Sequence, residues 1–198
     1  LSSQIVESTI SLFGGTLQDP LVETERGKVV DSGGGSNGEA KWHGLCLALA
    51  EMGRRGLIEN EVVDELLGWA VKVRLEGSFY HDITETALQA LNFDIRRGAH
   101  SIGSNVRDAA AYLIWSLARA LSPTTIRPFT LTIAQTLVCV ACFDREVGIR
   151  RAASAAFQEH AGRMGLFPHG IDVLRKTDFY AVSVRRSAFL VAAPQVAM

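Results

Sequence analysis

Two related stretches of the sequence constrain the fold more than any other feature. Each has an aliphatic residue followed by arginine, at Arg107 and at Arg150, and then a run rich in alanine. The two arginines lie 43 residues apart, and a recurrence of about 40–47 residues with two helices per unit is typical of HEAT and armadillo repeats. Because such a unit cannot bury its apolar face alone, it stacks on its neighbours. The pair therefore predicts an all-α fold, a HEAT/armadillo-type α-solenoid of stacked antiparallel helix pairs.

The length of the chain sets the number of such units. Its 198 residues predict a single solenoid over residues 1–198, with about four to five helix pairs. Neither end has the polar capping repeat that a solenoid needs, which indicates an internal fragment of a longer chain. The glycine-rich stretch near 23–39 predicts a flexible linker, because it has too little apolar surface to order itself.

Apolar residues recur at helical spacing through the rest of the chain. Residues 94–105 predict a loop, and Ser104 or Asn105 is the expected N-cap of the helix that follows it. The predicted helices cover residues 4–17, 40–52, 61–75, 84–91, 106–121, 129–142, 149–160, 171–182 and 186–193.

Composition argues against several classes of protein. The net charge is −1, whereas a nucleic-acid-binding domain usually carries a basic excess, so no nucleic acid is predicted as a partner. No run of about 18 uninterrupted apolar residues is present, and the sequence therefore predicts no membrane span. The three cysteines are an odd number, which argues against a disulfide framework and favours a reducing compartment.

Motifs with catalytic or metal chemistry are incomplete. Residues 98–104 nearly match a phosphate-binding loop, but the lysine is missing and no strand precedes them, so we interpret them as a sharp turn that needs glycine. Cys139 and Cys142 have the spacing of metal ligands without partners to complete a site, and they predict two buried apolar side chains on one helix face. The sequence thus predicts no catalytic residue, no metal and no cofactor.

The two repeated arginines have two interpretations. In the first, Arg107 and Arg150 pair with aspartates of the preceding turn, Asp94 and Asp144, or with Asp108, and form a structural ladder between repeats. In the second, they contact a partner protein. Both interpretations stay open at this point.

A basic segment of the loop gives the other candidate contacts. Arg96, Arg97 and His100 have no acidic residue near them between Asp94 and Asp108, so they form either a solvated turn or a contact for an acidic protein surface. The candidate partner-binding residues are Arg96, Arg97, His100, Arg107 and His169.

At these residues the chain resembles the tubulin-specific chaperone D family, also called tubulin-folding cofactor D. Four segments carry the resemblance in the order of the family and together cover most of residues 40–190. They are KWHGLCLALAEMGRRGL at 41–57, FDIRRGAHSIGSNVRDAA at 93–110, FDREVGIRRAASAAFQE at 143–159 and GLFPHGID at 165–172. The glycine-rich stretch before residue 41 and the length of residues 73–85 depart from the pattern.

The resemblance implies a cytosolic, microtubule-associated chaperone that is not itself an enzyme. The family captures β-tubulin, joins cofactors E and C, and assembles the α/β-tubulin heterodimer. With those partners it promotes GTP hydrolysis by tubulin, and an Arf-like small GTPase binds it. No family motif designates a catalytic residue in this chain.

Two other hypotheses stay open. A generic HEAT-repeat scaffold in transport or chromosome organisation would bind other partners and not tubulin. An enzyme built on a helical-repeat fold would, in its metal-dependent form, contain bound metal.

Overall fold

The fold is known from a computed structural model, which describes residues 2–12, 36–58, 90–97 and 100–198. In these ranges the chain is largely helical, and the predicted all-α class is confirmed. It divides into two compact units, Leu1–Leu121 and Ser122–Met198, where the sequence predicts one solenoid. The predicted helices at 61–75 and, apart from residues 90 and 91, at 84–91 lie outside the described residues, as does the linker over 23–35.

Two long helices pack against each other in the described residues of the first unit, α2 (Ser36–Arg54) and α3 (Ser104–Ala120). Helix α2 packs against α3 through buried apolar residues that recur at helical spacing, among them Leu45 and Leu49 on α2 and Leu113 and Leu117 on α3. The described elements of this unit are α1 (Ser2–Leu12), α2 (Ser36–Arg54), β1 (Ile95–Arg97), β2 (His100–Ile102) and α3 (Ser104–Ala120).

Helix α2 begins earlier than the sequence predicts. It starts at Ser36, so residues 36–39 are helical and the prediction of a linker through residue 39 is wrong for these four positions. Glu39 lies in the first turn, where a carboxylate is stabilised by the positive end of the helix dipole.

The predicted loop at 94–105 contains a short antiparallel hairpin. Strand β1 pairs with β2 so that Ile95 faces Ile102 and Arg97 faces His100. With three residues each, the strands are too short to give the alternation of apolar and polar residues that identifies a strand in a sequence. Helix α3 begins directly after the hairpin, and its N-cap is Gly103, so the prediction of a side-chain cap from Ser104 or Asn105 is wrong.

The second unit contains a helix pair and a series of shorter helices. After α4 (Pro123–Ile126) and a 3₁₀ turn (Arg127–Phe129), helices α5 (Thr130–Phe143) and α6 (Val147–Met164) pack against each other. The remaining elements are α7 (Gly170–Lys176), α8 (Phe179–Ser183), α9 (Arg185–Ser187), a π-helical turn (Ala188–Ala192) and α10 (Ala193–Ala197).

The α5–α6 pair is the predicted helix hairpin. Only three residues connect the two helices, and so short a connection joins antiparallel neighbours. Ile133 and Leu137 of α5 are buried, as are Ala153 and Ala156 of α6, and the small alanine side chains allow the helix backbones to approach closely. Gly165, in the left-handed conformation, ends α6.

The C-terminal helices differ from the prediction in two places. The expected helix at 171–182 is broken, because the Asp178 side chain accepts hydrogen bonds from the amides of Tyr180 and Ala181 and caps a new helix. The expected helix at 186–193 is longer and includes the π-helical turn. That turn ends two residues before Pro194, whose missing N–H cannot continue the regular ladder of backbone hydrogen bonds.

One stretch of the described residues, Pro123–Phe143, is long and apolar enough to cross a membrane by length and composition. A core helix of a soluble protein passes the same test. Ile126, Ile133 and Leu137 of this stretch are buried inside the protein, so its apolar residues are at least partly explained by packing.

Candidate partner-binding surfaces

Arg107 lies at the base of the hairpin, where it joins the chain before β1 to the helix after β2. Its side chain is 3% exposed, and Nη1 donates a hydrogen bond of 2.9 Å to the carbonyl oxygen of Phe93. The same nitrogen lies 3.6 Å from Oδ1 of Asp94. The ring of Phe93 in turn packs on Trp42, with 5.4 Å between ring centroids. This geometry supports the structural interpretation of Arg107, because so little of the side chain is accessible to a partner.

Gly103 closes the base of the hairpin on the opposite strand. Its φ of 121° lies in the region that favours glycine, and an added Cβ would stand 2.5 Å from the carbonyl oxygen of Phe93. The need for glycine is therefore confirmed at Gly103, whereas Gly98 lies outside the described residues. The prediction that no strand precedes residues 98–104 is wrong, because β1 ends at Arg97 and residues 100–102 form β2.

The three basic candidates of the loop share this one hairpin. Arg96 and Arg97 lie on β1, His100 lies on β2, and the backbone of Arg97 is directly opposite that of His100. The hairpin thus brings the three residues together at one place in the first unit. Their role as a partner contact stays a prediction.

Arg150, the second repeated arginine, is a buried clamp for the backbone of the second unit. Its side chain is 2% exposed, and it donates to the carbonyl oxygens of Val182 at 2.7 Å and Ser183 at 3.0 Å. Nη1 donates to the carbonyls of Asp144 and Arg145, at 2.9 and 3.0 Å. Burial lowers the pKa of this guanidinium. The predicted partner Asp144 contributes through its carbonyl oxygen and through the charge of its carboxylate, and the hydrogen bonds to backbone carbonyl groups join the α5–α6 turn to the end of α8.

His169 belongs to the second unit, so the five candidate residues divide between the two units. It lies between α6 and α7, is exposed, and has a positive φ of 52°. The nearby Phe167 ring is buried and stacks on His160, with 5.4 Å between centroids. This packing fixes the turn that presents His169.

The two cysteines of α5 do not share a buried face. Cys142 is buried, whereas Cys139 is exposed, so the prediction that both are buried is wrong for Cys139. Burial raises the pKa of the Cys142 thiol to about 11. In the described ranges, no three His, Cys, Asp or Glu side chains are grouped so that they could hold a metal ion.

A cluster of charges connects the two long helices of the first unit. The carboxylate of Glu51 accepts hydrogen bonds from Arg54 at 2.6 and 2.9 Å, from Arg55 at 2.9 Å, and from the Tyr112 hydroxyl at 3.2 Å. These bonds, those of Arg54 first, lower the pKa of Glu51 to about 2. Tyr112 lies on α3, so the cluster links α2 to α3.

Sequence reasoning missed a surface on the second unit in which two arginines lie over aromatic rings. The Arg151 guanidinium lies 4.4 Å from the centre of the Phe179 ring, and that of Arg185 lies 5.4 Å from the centre of Phe189. We call it the aromatic–arginine surface and define it by Phe143, Arg151, Phe179, Tyr180, Arg185 and Phe189.

The charges of the two units have opposite signs. Residues 122–198 contain nine Arg and Lys against five Asp and Glu, a formal charge of +4, whereas residues 1–121 contain eleven against sixteen, a charge of −5. The overall charge of −1 conceals this division. Counting the charge of each unit separately is the signal that identifies the second unit as basic.

Comparison with known proteins gives a family. A family model described as "Tubulin-specific chaperone D-like, ARM repeats" matches residues 16–171. Armadillo repeats are stacked helix units, which agrees with the predicted α-solenoid class. No solved structure matches the chain.

Two curated relatives have closely related names. The chain is 42% identical to the tubulin-specific chaperone D of Dictyostelium discoideum over 149 residues, which are 75% of this chain and 9% of that protein. It is 27% identical to the tubulin-folding cofactor D of Schizosaccharomyces pombe over 142 residues, which are 72% of this chain and 11% of that protein. The chain thus spans about a tenth of the length of these relatives.

Proposed function

Because this chain belongs to the tubulin-specific chaperone D family, we propose that the full-length protein is a tubulin-folding cofactor that captures β-tubulin. The observation that carries the proposal is the family match over residues 16–171, together with 42% identity to a protein named tubulin-specific chaperone D. The chain contributes part of the binding scaffold, and it is not an enzyme.

The construction of the chain supports a scaffold in physical terms. Within the first unit, α2 and α3 bury their apolar faces against each other, and within the second unit α5 and α6 do the same. Helix pairs of this kind are the units from which repeat proteins build long surfaces for other polypeptides. Arg107 and Arg150 use their donors on backbone carbonyl groups inside the fold. Their role is to fix the turns that present surface residues.

The finer function is proposed from the family. The protein joins cofactors E and C, assembles the α/β-tubulin heterodimer, and promotes GTP hydrolysis by tubulin in their presence. An Arf-like small GTPase binds it. The site of action is the cytoplasm, at the microtubule cytoskeleton.

Co-purification tests the proposal. Tagged full-length protein is isolated from cells at physiological salt, and the bound α- and β-tubulin are quantified by mass spectrometry. We expect β-tubulin in excess over α-tubulin when cofactor E is depleted. Retention of no tubulin, with other cargo in its place, contradicts the proposal and favours a generic scaffold.

The hairpin is the proposed contact of the first unit with an acidic surface of tubulin. Reversing the charge with Arg96→Glu and Arg97→Glu should weaken β-tubulin binding by about tenfold or more, because charges at the rim of an interface steer association and fix its register. Arg119→Glu, at an exposed position of α3, is the matched control and should change binding by less than about twofold. If Arg96→Glu, Arg97→Glu and Arg119→Glu bind β-tubulin with equal affinity, the hairpin is a solvated turn and not a contact with tubulin.

A further inference from the structure

The aromatic–arginine surface leaves large apolar side chains accessible to solvent. Tyr180 is 82% exposed, Phe143 52% and Phe179 48%. The rings nevertheless contact one another in pairs, because Phe143 meets Phe189 edge to face at 5.2 Å and Phe179 meets Tyr180 at 5.7 Å. Exposed apolar groups that contact one another in this way are typical of interaction sites.

The arginines of this surface are held in place before any ligand binds. Arg151 lies over the Phe179 ring and donates from Nε to the Ser183 hydroxyl at 2.8 Å, and that hydroxyl in turn donates to the carbonyl oxygen of Phe179. This bond uses one of the five N–H donors of a guanidinium. The other donors keep the planar fork that suits a carboxylate.

Arg150 lies beneath the surface and fixes its two halves relative to each other. Its guanidinium binds the carbonyls of Asp144 and Arg145, which follow Phe143, and those of Val182 and Ser183, which precede Arg185. Arg151 and Arg185 are near enough to help lower the pKa of Arg150. The carboxylates of Asp144 and Glu146 act on Arg150 in the opposite direction, so arginines and carboxylates both lie close to this place in the unit.

The carboxylates near the surface are already engaged within the fold. Asp178 accepts from two amides at the start of α8, Asp144 accepts from the amide of Glu146 at 2.8 Å, and Glu146 lies 3.9 Å from Arg145. These carboxylates keep their negative charge, but residues 143–151 and 178–189 contain five arginines against three carboxylates, and the whole unit carries +4. The surface is therefore net positive and complementary to an anionic ligand.

We propose that the aromatic–arginine surface binds an acidic peptide segment in which carboxylates flank an apolar side chain. The carboxylates pair with Arg151 and Arg185, and the apolar side chain packs on Tyr180 and Phe179. Arginine and tyrosine are enriched at the energetic centres of protein interfaces. A membrane surface fits less well, because helices that lie on membranes carry a continuous lysine- and arginine-rich polar face, whereas acidic residues are interspersed here. The inference holds for any acidic polypeptide and does not rest on the proposed function.

Fluorescence anisotropy tests the inference with the full-length protein and a labelled synthetic peptide that has glutamates around one phenylalanine. We expect saturable binding that weakens as salt is raised. Tyr180→Ala and Arg185→Glu should each weaken it by about tenfold. Arg175→Glu is the matched control, because Arg175 lies in the same unit, is 77% exposed and is outside the surface. It should change the affinity by less than about twofold.

Three results overturn the inference. They are an absence of peptide binding, equal weakening by Arg175→Glu and Arg185→Glu, and binding to phosphatidylserine-containing vesicles without binding to the peptide. Circular dichroism establishes that each variant is folded. Arg185→Lys, which keeps the charge but loses the planar fork and its stacking on Phe189, should weaken binding less than Arg185→Glu does. Because the peptide assay contains no tubulin, its failure leaves the proposed function untouched, and the co-purification experiment tests that function separately.

Discussion

The guanidinium of Arg107 donates a hydrogen bond of 2.9 Å to the carbonyl oxygen of Phe93, and thereby holds the start of the hairpin against the helix that follows it. The residue is buried at 3% exposure. Since an unsatisfied buried carbonyl destabilises a fold, this bond makes the position of the hairpin depend on one side chain.

Replacing this side chain should therefore loosen the hairpin. We expect Arg107→Ala to reduce the free energy of unfolding by about 2–4 kcal/mol, because it leaves the Phe93 carbonyl without its donor and creates a cavity. Hydrogen exchange of the amides at residues 95–97 and 100–102 should accelerate in the variant. Arg119→Ala, at an exposed position of the same helix where the guanidinium lies 4.9 Å from the centre of the Trp115 ring, should change stability by less than about 1 kcal/mol. If Arg107→Ala and Arg119→Ala are equally stable, the hydrogen bond from Arg107 to the Phe93 carbonyl does not hold the hairpin in place.

Two glycines give opposite predictions for the same substitution. Gly103→Ala should destabilise by about 2 kcal/mol or more, because its φ of 121° is strained for alanine and the new Cβ would stand 2.5 Å from the Phe93 carbonyl oxygen. Gly162→Ala, in the last turn of α6 with no atom within 4 Å of the new Cβ, should stabilise by up to about 0.5–1 kcal/mol. Urea denaturation of both variants measures the difference. If Gly103→Ala leaves the stability unchanged, the close approach of position 103 to the Phe93 carbonyl oxygen is contradicted.

Arg150 is the corresponding residue of the second unit. Arg150→Met should reduce stability by about 2–4 kcal/mol, because methionine fills part of the space but leaves four carbonyl groups without the donor. Arg163→Met is the control on the same helix, where Arg163 makes only an exposed ion pair with Glu159 at 2.8 Å, and it should change stability by less than about 1 kcal/mol. Thermal denaturation followed by circular dichroism distinguishes the two.

The Glu51 cluster predicts a dependence of stability on acid. The folded state lowers the pKa of Glu51 from its usual value of 4.5 to about 2, so the ionised carboxylate stabilises the fold above about pH 4.5. That stabilisation is lost as the pH falls towards 2, because the folded state must then bind the proton as well. The stability of Glu51→Gln should therefore lie below that of the original chain at pH 7 and approach it between pH 4.5 and 2. If the stability difference between Glu51→Gln and the original chain stays constant as the pH falls from 7 to 2, the lowered pKa of Glu51 is contradicted.

Thiol reactivity tests the placement of the cysteines. Cys139 is exposed, whereas Cys142 and Cys46 are buried and their pKa values are raised to about 11 and about 12 by burial. Since the thiolate is the reactive form, iodoacetamide should modify Cys139 first at pH 8, and peptide mapping identifies the modified residue. Modification of Cys142 at the same rate contradicts the burial.

The sequence predicted the helix pairs because their apolar residues recur at a regular spacing. Helices α5 and α6 begin and end within a few residues of the predicted positions. The structural interpretation of Arg107 and Arg150 was also available from their repeated position. Their partners were not, because the carbonyls of Val182 and Ser183 lie 32 and 33 residues beyond Arg150 and only the folded chain brings them near.

The missed features share a physical cause. The hairpin depends on strands of three residues, which leave no periodic pattern. The aromatic–arginine surface is assembled from single residues spread over residues 143–189, and only Phe143 and Arg151 lie in a segment that the sequence analysis singled out. The break at Asp178 could not be predicted, because the apolar residues on both sides of it have the same spacing. That spacing fits a continuous helix as well as a helix that ends and a new one that Asp178 caps.

Depletion of the full-length protein from cells tests the central claim most directly. If the protein is a tubulin-folding cofactor, the yield of soluble, assembled α/β-tubulin heterodimer should fall after depletion and recover when the original protein is restored. An unchanged yield of heterodimer in fully depleted cells contradicts the account.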